Sequence, residues 1–460
     1  MIPGAVADLE ALTDAPRYQI AASFDPGTMT LHGTERVWMS NHWDKVLDAA
    51  YFRLYPNGET LYGPAKMRLL SVVDDAGREL AWKEEGDDTV IRVDLPAAWS
   101  PGESLVLTLT WDVQVPVEGE QPWTRDDGYG IFRQAKDIVL LAEWFPMLAV
   151  YDGSDWQLDL VPAWGDPVYS EIALFEVWLT TPAAYSIIAT GTEVSASESG
   201  GAVTRRFLSG PTRDFYLACS QALQSKSTLV GETLVRSYFY PENGTAGEDV
   251  LRASSEALRV FNRRFGTYPY RDFEVVEVPL IGLLGMEYPG VTLLSDRIYT
   301  PDQKWRLDIT AAHEVAHQWW YGVVGNDILN EPWLDEALAT FSSGVYVEDV
   351  DGEAAFRAQY EQWVERYETG QRNGTVGRIN WPVMRFRNSW DYVTTVYYEG
   401  AIFLERLRGE IGDTALFGAL QQYYQTFGYR QAASEDFLGA IEQASGRHLD
   451  DFYARWLYKN

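Results

Sequence analysis

The run His313-Glu314-Val315-Ala316-His317, with Glu336 nineteen residues beyond it, constrains this chain more than any other feature. Only five of the 460 residues are histidine, so composition alone would produce such a His-Glu-x-x-His run on the order of 0.004 times per chain. An α-helix turns about 100° per residue, which leaves His313 and His317 about 40° apart on one face, one turn apart. Their imidazoles can converge on one metal ion, while Glu314, on the flank of that face, reaches a water beside the ion without becoming a ligand. The alternative is a pair of core histidines. Thr300, Pro301 and Gln303 supply a start signal for this helix, with Thr300 as cap, Pro301 at the first helical position and Gln303 completing a capping box. The segment 330–341, "NEPWLDEALATF", reads as a second helix with Pro332 near its start. Run antiparallel to the first, it returns the Glu336 carboxylate to the two histidines. His313, His317 and Glu336 then form a hydrolytic zinc set, in which a carboxylate ligand keeps the ion Lewis acidic and a fourth position stays open. For Glu336 taken alone, the alternative is a solvated helix face.

The fold must deliver those two helices, and the chain is too long for one ordinary core. Residues 28–39, 89–95, 103–115, 171–181 and 204–210 alternate or run apolar between Gly, Pro, Asp and Asn clusters, and read as strands. Residues 247–266, 352–370, 400–412 and 434–446 have helical spacing. The change falls near 221–232. The expectation is an α+β multidomain chain, with a β domain over 1–224 and a mainly helical zinc domain over 225–460. No internal repeat or low-complexity tract is present.

The formal net charge of −30 disfavours nucleic acid and anionic membrane as partners. It suits solubility and, secondarily, attraction of cationic peptides. The most apolar window, around Glu143 and Pro146, is broken by both, so no membrane insertion is expected. The first sixteen residues lack a basic region and an apolar core, so they do not read as a signal peptide, and a soluble, cytoplasmic protein is expected. Cys219 is the only cysteine.

Four segments together resemble one family, the gluzincin zinc aminopeptidases of the aminopeptidase N and leukotriene hydrolase type. "HEVAHQWW" followed by "WLDEALATF" resembles its H-E-x-x-H-x18-E signature, and "LLGMEYPG" (283–290) its G-x-M-E-N segment. "TTVYYEGAIFLERL" (394–407) resembles its Tyr-x-x-Gly-Ala segment, and the final helices the end of its thermolysin-like domain. The resemblance implies a saddle-like N-terminal β domain followed by a thermolysin-like catalytic domain, in a short two-domain form. The chain departs from the pattern at Tyr288 and Asp335, where Asn is usual, and at Glu399, where Lys is usual.

By resemblance, the chain carries one Zn2+ and trims peptides that have a free N-terminus. Glu314 is the general base. Tyr397, three before Gly400, donates to the developing oxyanion, with Tyr398 its competitor for that role. Glu287 anchors the substrate α-amine, Gly285 and Met286 flank the substrate with backbone, and Glu143 supplies a second amine anchor from the β domain. The competing reading for Glu287 is a loop salt bridge, and for Glu143 a structural ion pair. Two other functions compete: a zinc endopeptidase of thermolysin style, which Glu287 argues against, and an inactive binding scaffold, which the intact ligands and base argue against.

Overall fold

The computed structural model describes residues 1–119, 128–160 and 162–458. All five strand-like segments lie in strands, namely Thr30–Ser40, Val90–Trp99, Ser104–Gln114, Ala173–Pro182 and Ala202–Thr212. Period-two alternation does what it should: along Arg17–Asp25 and Thr30–Ser40 every second residue is buried. All of these but Val90–Trp99, which pairs in a four-stranded sheet, belong to a seven-stranded sheet in the order Thr192–Ser199, Ala202–Thr212, Ala173–Pro182, Arg17–Asp25, Thr30–Ser40, Ser104–Gln114, Lys66–Asp74. Its one parallel pairing joins Arg17–Asp25 to Ala173–Pro182. Two four-stranded sheets close over the same core, whose centre holds Phe52, Trp111, Trp144, Phe175 and Phe215.

The second half opens on a sheet that periodicity did not reveal. Gln224–Val230, Thr233–Phe239, Asp272–Val278, Val291–Ser295 and Gly285–Met286 pair in that order. Asp272–Val278 and Val291–Ser295 are buried almost throughout, Glu274 and Glu277 included, so burial does not alternate along them. The four expected helices follow as Gly244–Arg264, Glu353–Arg372, Gly400–Ile411 and Ser434–Ser445.

The start of the motif helix differs from expectation. Pro301–Gln303 forms a 3-10 turn, and the α-helix runs from Lys304 to Ala316. No capping box forms, because the Thr300 hydroxyl and the Gln303 amide both donate to Asp302. Glu143, expected within a strand-like run, follows the strand Ile138–Leu141 in a turn, with φ of 46°. Among the described residues, no helix is long and apolar enough to cross a membrane.

The two halves are riveted by buried polar groups. Arg213, 2% exposed, donates to the carbonyls of Tyr321 (2.5 Å), Ser170 (3.1 Å) and Arg430 (2.9 Å). Thr190 donates to the Pro289 carbonyl at 2.8 Å. Tyr321 holds a φ of 118°, which a non-glycine residue adopts only under constraint. Arg213 on its carbonyl and Asp214 accepting its hydroxyl at 2.9 Å supply that constraint, four residues past His317.

Candidate active site

The motif helix is fixed by the aromatic pair that follows it. Trp319 and Trp320 are fully buried, and each such side chain contributes about 1.5–3 kcal/mol. Trp320 Nε1 donates to Ser342 Oγ at 3.0 Å, tying the motif helix to the helix Trp333–Asp351, which carries Glu336. Trp333 anchors the other end of that helix by donating to Ser434 Oγ at 3.0 Å.

Three ligand atoms then converge. His313 Nε2 lies 3.1 Å from His317 Nε2 and 3.3 Å from Glu336 Oε2, and His317 Nε2 lies 3.5 Å from the same oxygen. Ligands about 2.0–2.1 Å from a tetrahedral zinc are separated by about 3.3 Å, so this triangle has the dimensions of a zinc site. The tautomer fits as well. His317 Nδ1 donates to the Trp320 carbonyl at 3.1 Å, which turns the lone pair of Nε2 toward the triangle.

Charge makes the same case. Burial resists protonation of His317, yet Glu287, Glu336 and Glu314 hold its pKa well above the usual imidazole range. Burial likewise opposes ionisation of Glu336, but His317 and His313 hold its pKa down at about 2. His313 is lowered, chiefly by burial.

Glu314 is 5% exposed, and its Oε2 has no hydrogen-bond partner among the described residues. Burial, then the nearby charge of Glu287, pushes its carboxyl well above the usual range. Gly285 lies directly on it: a Cβ at this glycine would stand 2.0 Å from Glu314 Oε1. Only glycine lets the Gly285–Met286 strand pass this close to the carboxylate. That strand is the edge of its sheet, paired through Gly285 with Leu294 and Met286 with Leu293. Glu287 follows it, 7% exposed, and its carboxylate lies within 4.8 Å of ligand atoms of both Glu314 and His317. The loop is buttoned to the motif by Gln318, which accepts from Gly290 N at 2.8 Å and donates to the Tyr288 carbonyl at 3.3 Å.

Tyr397 lies in a π-helical segment, Val393–Glu399, a rare geometry that often marks functional sites. Its hydroxyl donates to Glu336 Oε1, and its ring stacks on His313 at 5.8 Å. Tyr398 turns away, under the Arg366 guanidinium at 5.5 Å. Gly400 lets this helix close on the Glu336 helix, since a Cβ there would stand 2.5 Å from the Ala337 Cβ.

Glu143 is 1% exposed and accepts the Tyr62 hydroxyl at 2.6 Å. The three departures from the resembled pattern are also placed. Tyr288 stacks on Tyr216 of the β half, centroids 4.4 Å apart. Asp335 accepts the Glu336 backbone N–H at 2.8 Å, and Glu399 is buried beside Tyr367. Sequence reasoning did not reach Asp166, whose carboxylate meets those of Glu287 and Glu336. Its local sequence, "AWGDP", holds no periodic or spacing signal, and only the tertiary fold brings it there.

Residues 250–456 match the model of the peptidase family M1 domain. The chain is 25% identical over 312 residues to Aminopeptidase M1-B of Oryza sativa subsp. japonica, covering 64% of this chain and 35% of that protein. It is 27% identical over 225 residues to Aminopeptidase N of Streptomyces lividans, covering 45% of this chain and 25% of the relative. The chain thus spans about a third or less of the length of these relatives. Among solved structures, an M1 zinc metallopeptidase from Deinococcus radiodurans matches with a TM-score of 0.70 at 20% identity, over 96% of this chain and 94% of that one. A variant of that protein, solved with Tyr-Ser-Ala bound, matches with a TM-score of 0.71 at 21% identity and the same coverage.

Proposed function

We propose that this chain, whose residues 250–456 match the peptidase family M1 domain, is a zinc aminopeptidase of that family that removes one residue at a time from the amino end of short peptides. The observation that carries the reading is the zinc-sized triangle of His313, His317 and Glu336 with Glu314 and Glu287 packed against it. We place the division between the two functional halves at residues 224 and 225, where the strand Gln224–Val230 begins the second sheet.

His313, His317 and Glu336 hold the ion, and zinc held there supplies a Lewis acid that polarises the scissile carbonyl and acidifies water. Glu314 takes the proton of the attacking water and delivers it to the amine that leaves as the C–N bond breaks. A carboxyl whose environment raises its proton affinity suits that temporary custody. Tyr397 gives its O–H to the oxygen on which negative charge develops. Glu287 binds the substrate α-ammonium, and the backbone of Gly285 and Met286 lies alongside the bound peptide. The amine-to-carbonyl distance in one residue then sets where the chain is cut, which is what separates an aminopeptidase from an endopeptidase built on the same centre.

The protein is expected to purify with one zinc per chain, to lose activity on aminoacyl fluorogenic substrates when chelated, and to regain it when zinc is returned. An active preparation shown by elemental analysis to be exhaustively metal-free contradicts the reading.

Tyr397→Phe is expected to lower kcat about 10²–10³-fold with zinc content unchanged, the usual effect of removing one preorganised donor to an oxyanion. Tyr398→Phe is expected to stay near the parent rate. Steady-state kinetics of both variants decide between the two tyrosines, and the opposite pattern moves the role to Tyr398.

A further inference from the structure

The turn that follows the zinc motif is strained, and the β half holds the strain. Tyr321 has a φ of 118°. That angle is the rotation about its N–Cα bond, so it sets how the planar Trp320–Tyr321 peptide is turned against the rest of Tyr321. Both sides of that peptide are engaged. Its carbonyl, from Trp320, accepts the His317 Nδ1–H at 3.1 Å, and its N–H, from Tyr321, donates to the Val324 carbonyl at 2.8 Å. At an ordinary negative φ the same plane turns away from these partners. A residue with a Cβ adopts φ near 118° only where its surroundings outweigh the cost.

The surroundings that do so are two consecutive residues of the β half. Arg213 Nε donates to the Tyr321 carbonyl at 2.5 Å, and Asp214 Oδ2 accepts the Tyr321 hydroxyl at 2.9 Å. The backbone and the side chain of Tyr321 beyond the strained bond are thus both fixed. Arg213 and Asp214 are 2% and 1% exposed. Arg213 is itself locked, because its other two nitrogens donate to the carbonyls of Ser170 and Arg430 at 3.1 and 2.9 Å. Its hydrogen bonds among the described residues therefore all go to backbone carbonyls, one in each of three separate chain segments. Gly325 lets the guanidinium come this close to the turn, since a Cβ there would stand 2.1 Å from Arg213 Cζ.

We propose that Arg213 is a positioning residue for the zinc site: with Asp214 it holds Tyr321 at its strained φ, which keeps the Trp320 carbonyl on His317 Nδ1 and the Nε2 lone pair of that ring toward His313 and Glu336. The proposal rests on the zinc reading of the His313, His317 and Glu336 triangle. It makes affinity for the metal a joint property of the two halves, although all three ligands come from the second. A hydrogen bond to the outer nitrogen of a ligating imidazole fixes its tautomer and direction, and losing such a partner typically costs about 10–100-fold in metal affinity.

The test uses the full chain and measures the zinc dissociation constant by competition with a chelator of known affinity. Arg213→Gln is expected to weaken zinc binding about 10–100-fold. Glycine takes φ near 118° with no Cβ to strain, so adding Tyr321→Gly is expected to return the Arg213→Gln value to within about threefold of the parent. An arginine that only joined the two halves gives the opposite result, a second buried side chain lost and no recovery of zinc affinity. If Arg213→Gln does not fold, Tyr321→Ala and Tyr321→Gly decide. Both remove the ring and hydroxyl, only alanine is strained, and alanine is expected to bind zinc about tenfold more weakly than glycine. The ring N–H of His317 in imidazole 15N spectra gives a second readout: slow exchange with water in the parent and in the double variant, fast exchange in Arg213→Gln. Unchanged zinc affinity in Arg213→Gln, no recovery in the double variant, or equal affinities for the alanine and glycine variants overturns the assignment. If the parent protein itself does not bind zinc, the zinc reading has failed, and that result is seen before any variant is made.

Discussion

Glu314→Gln is expected to keep one zinc per chain and to lose about 10²–10⁴-fold in kcat, the usual share of a positioned general base. The two effects separate because Glu314 is not one of the three atoms of the zinc-sized triangle, which His313, His317 and Glu336 form without it. Glutamine fills the same volume, which matters where Gly285 leaves no slack against Oε1. It cannot take a proton from water, so the loss appears in turnover rather than in metal or substrate affinity. Elemental analysis and steady-state kinetics on one preparation check both halves. A variant that holds zinc and turns over within tenfold of the parent assigns the base elsewhere. A variant that loses zinc makes Glu314 a ligand.

The zinc helix and its partner were legible because their chemistry is periodic: two histidines one turn apart, and a carboxylate a short antiparallel return away. Strands of the β half were legible where one face is buried and the other wet, as in Thr30–Ser40. The sheet under the active site was not, since Asp272–Val278 and Val291–Ser295 are buried on both faces and lose the alternation. The capping box failed for a local reason, namely that Asp302 takes the hydrogen bonds of Thr300 and Gln303. Spacing alone would not have picked Tyr397 out, the family register favoured it over Tyr398, and the π-helical turn is what aims one ring at His313 and the other at Arg366. Asp166 was beyond any reading of spacing. It stands 121 residues from Glu287 and 170 from Glu336 in sequence, and no short pattern links them.

Glu287→Ala carries the second large effect. In the proposed complex its carboxylate, 7% exposed, pairs with the substrate α-ammonium in a site largely closed to water. Removing one partner of such a pair costs about 2–5 kcal/mol, or about 30-fold to several thousand-fold in kcat/KM for aminoacyl substrates. Much of that loss is positional, because an amine without its anchor leaves the carbonyl off the metal centre. Zinc content is expected to be unchanged, as Glu287 lies outside the His313, His317 and Glu336 triangle.

The most direct measurement is product analysis of one pentapeptide supplied in two forms, with a free amine and N-acetylated. The free form is expected to lose its residues singly from the amino end, and the acetylated form to be cut slower by a factor comparable to the Glu287→Ala effect. Internal cleavage of the acetylated peptide as fast as the free peptide is trimmed would contradict the account and identify the centre as that of an endopeptidase.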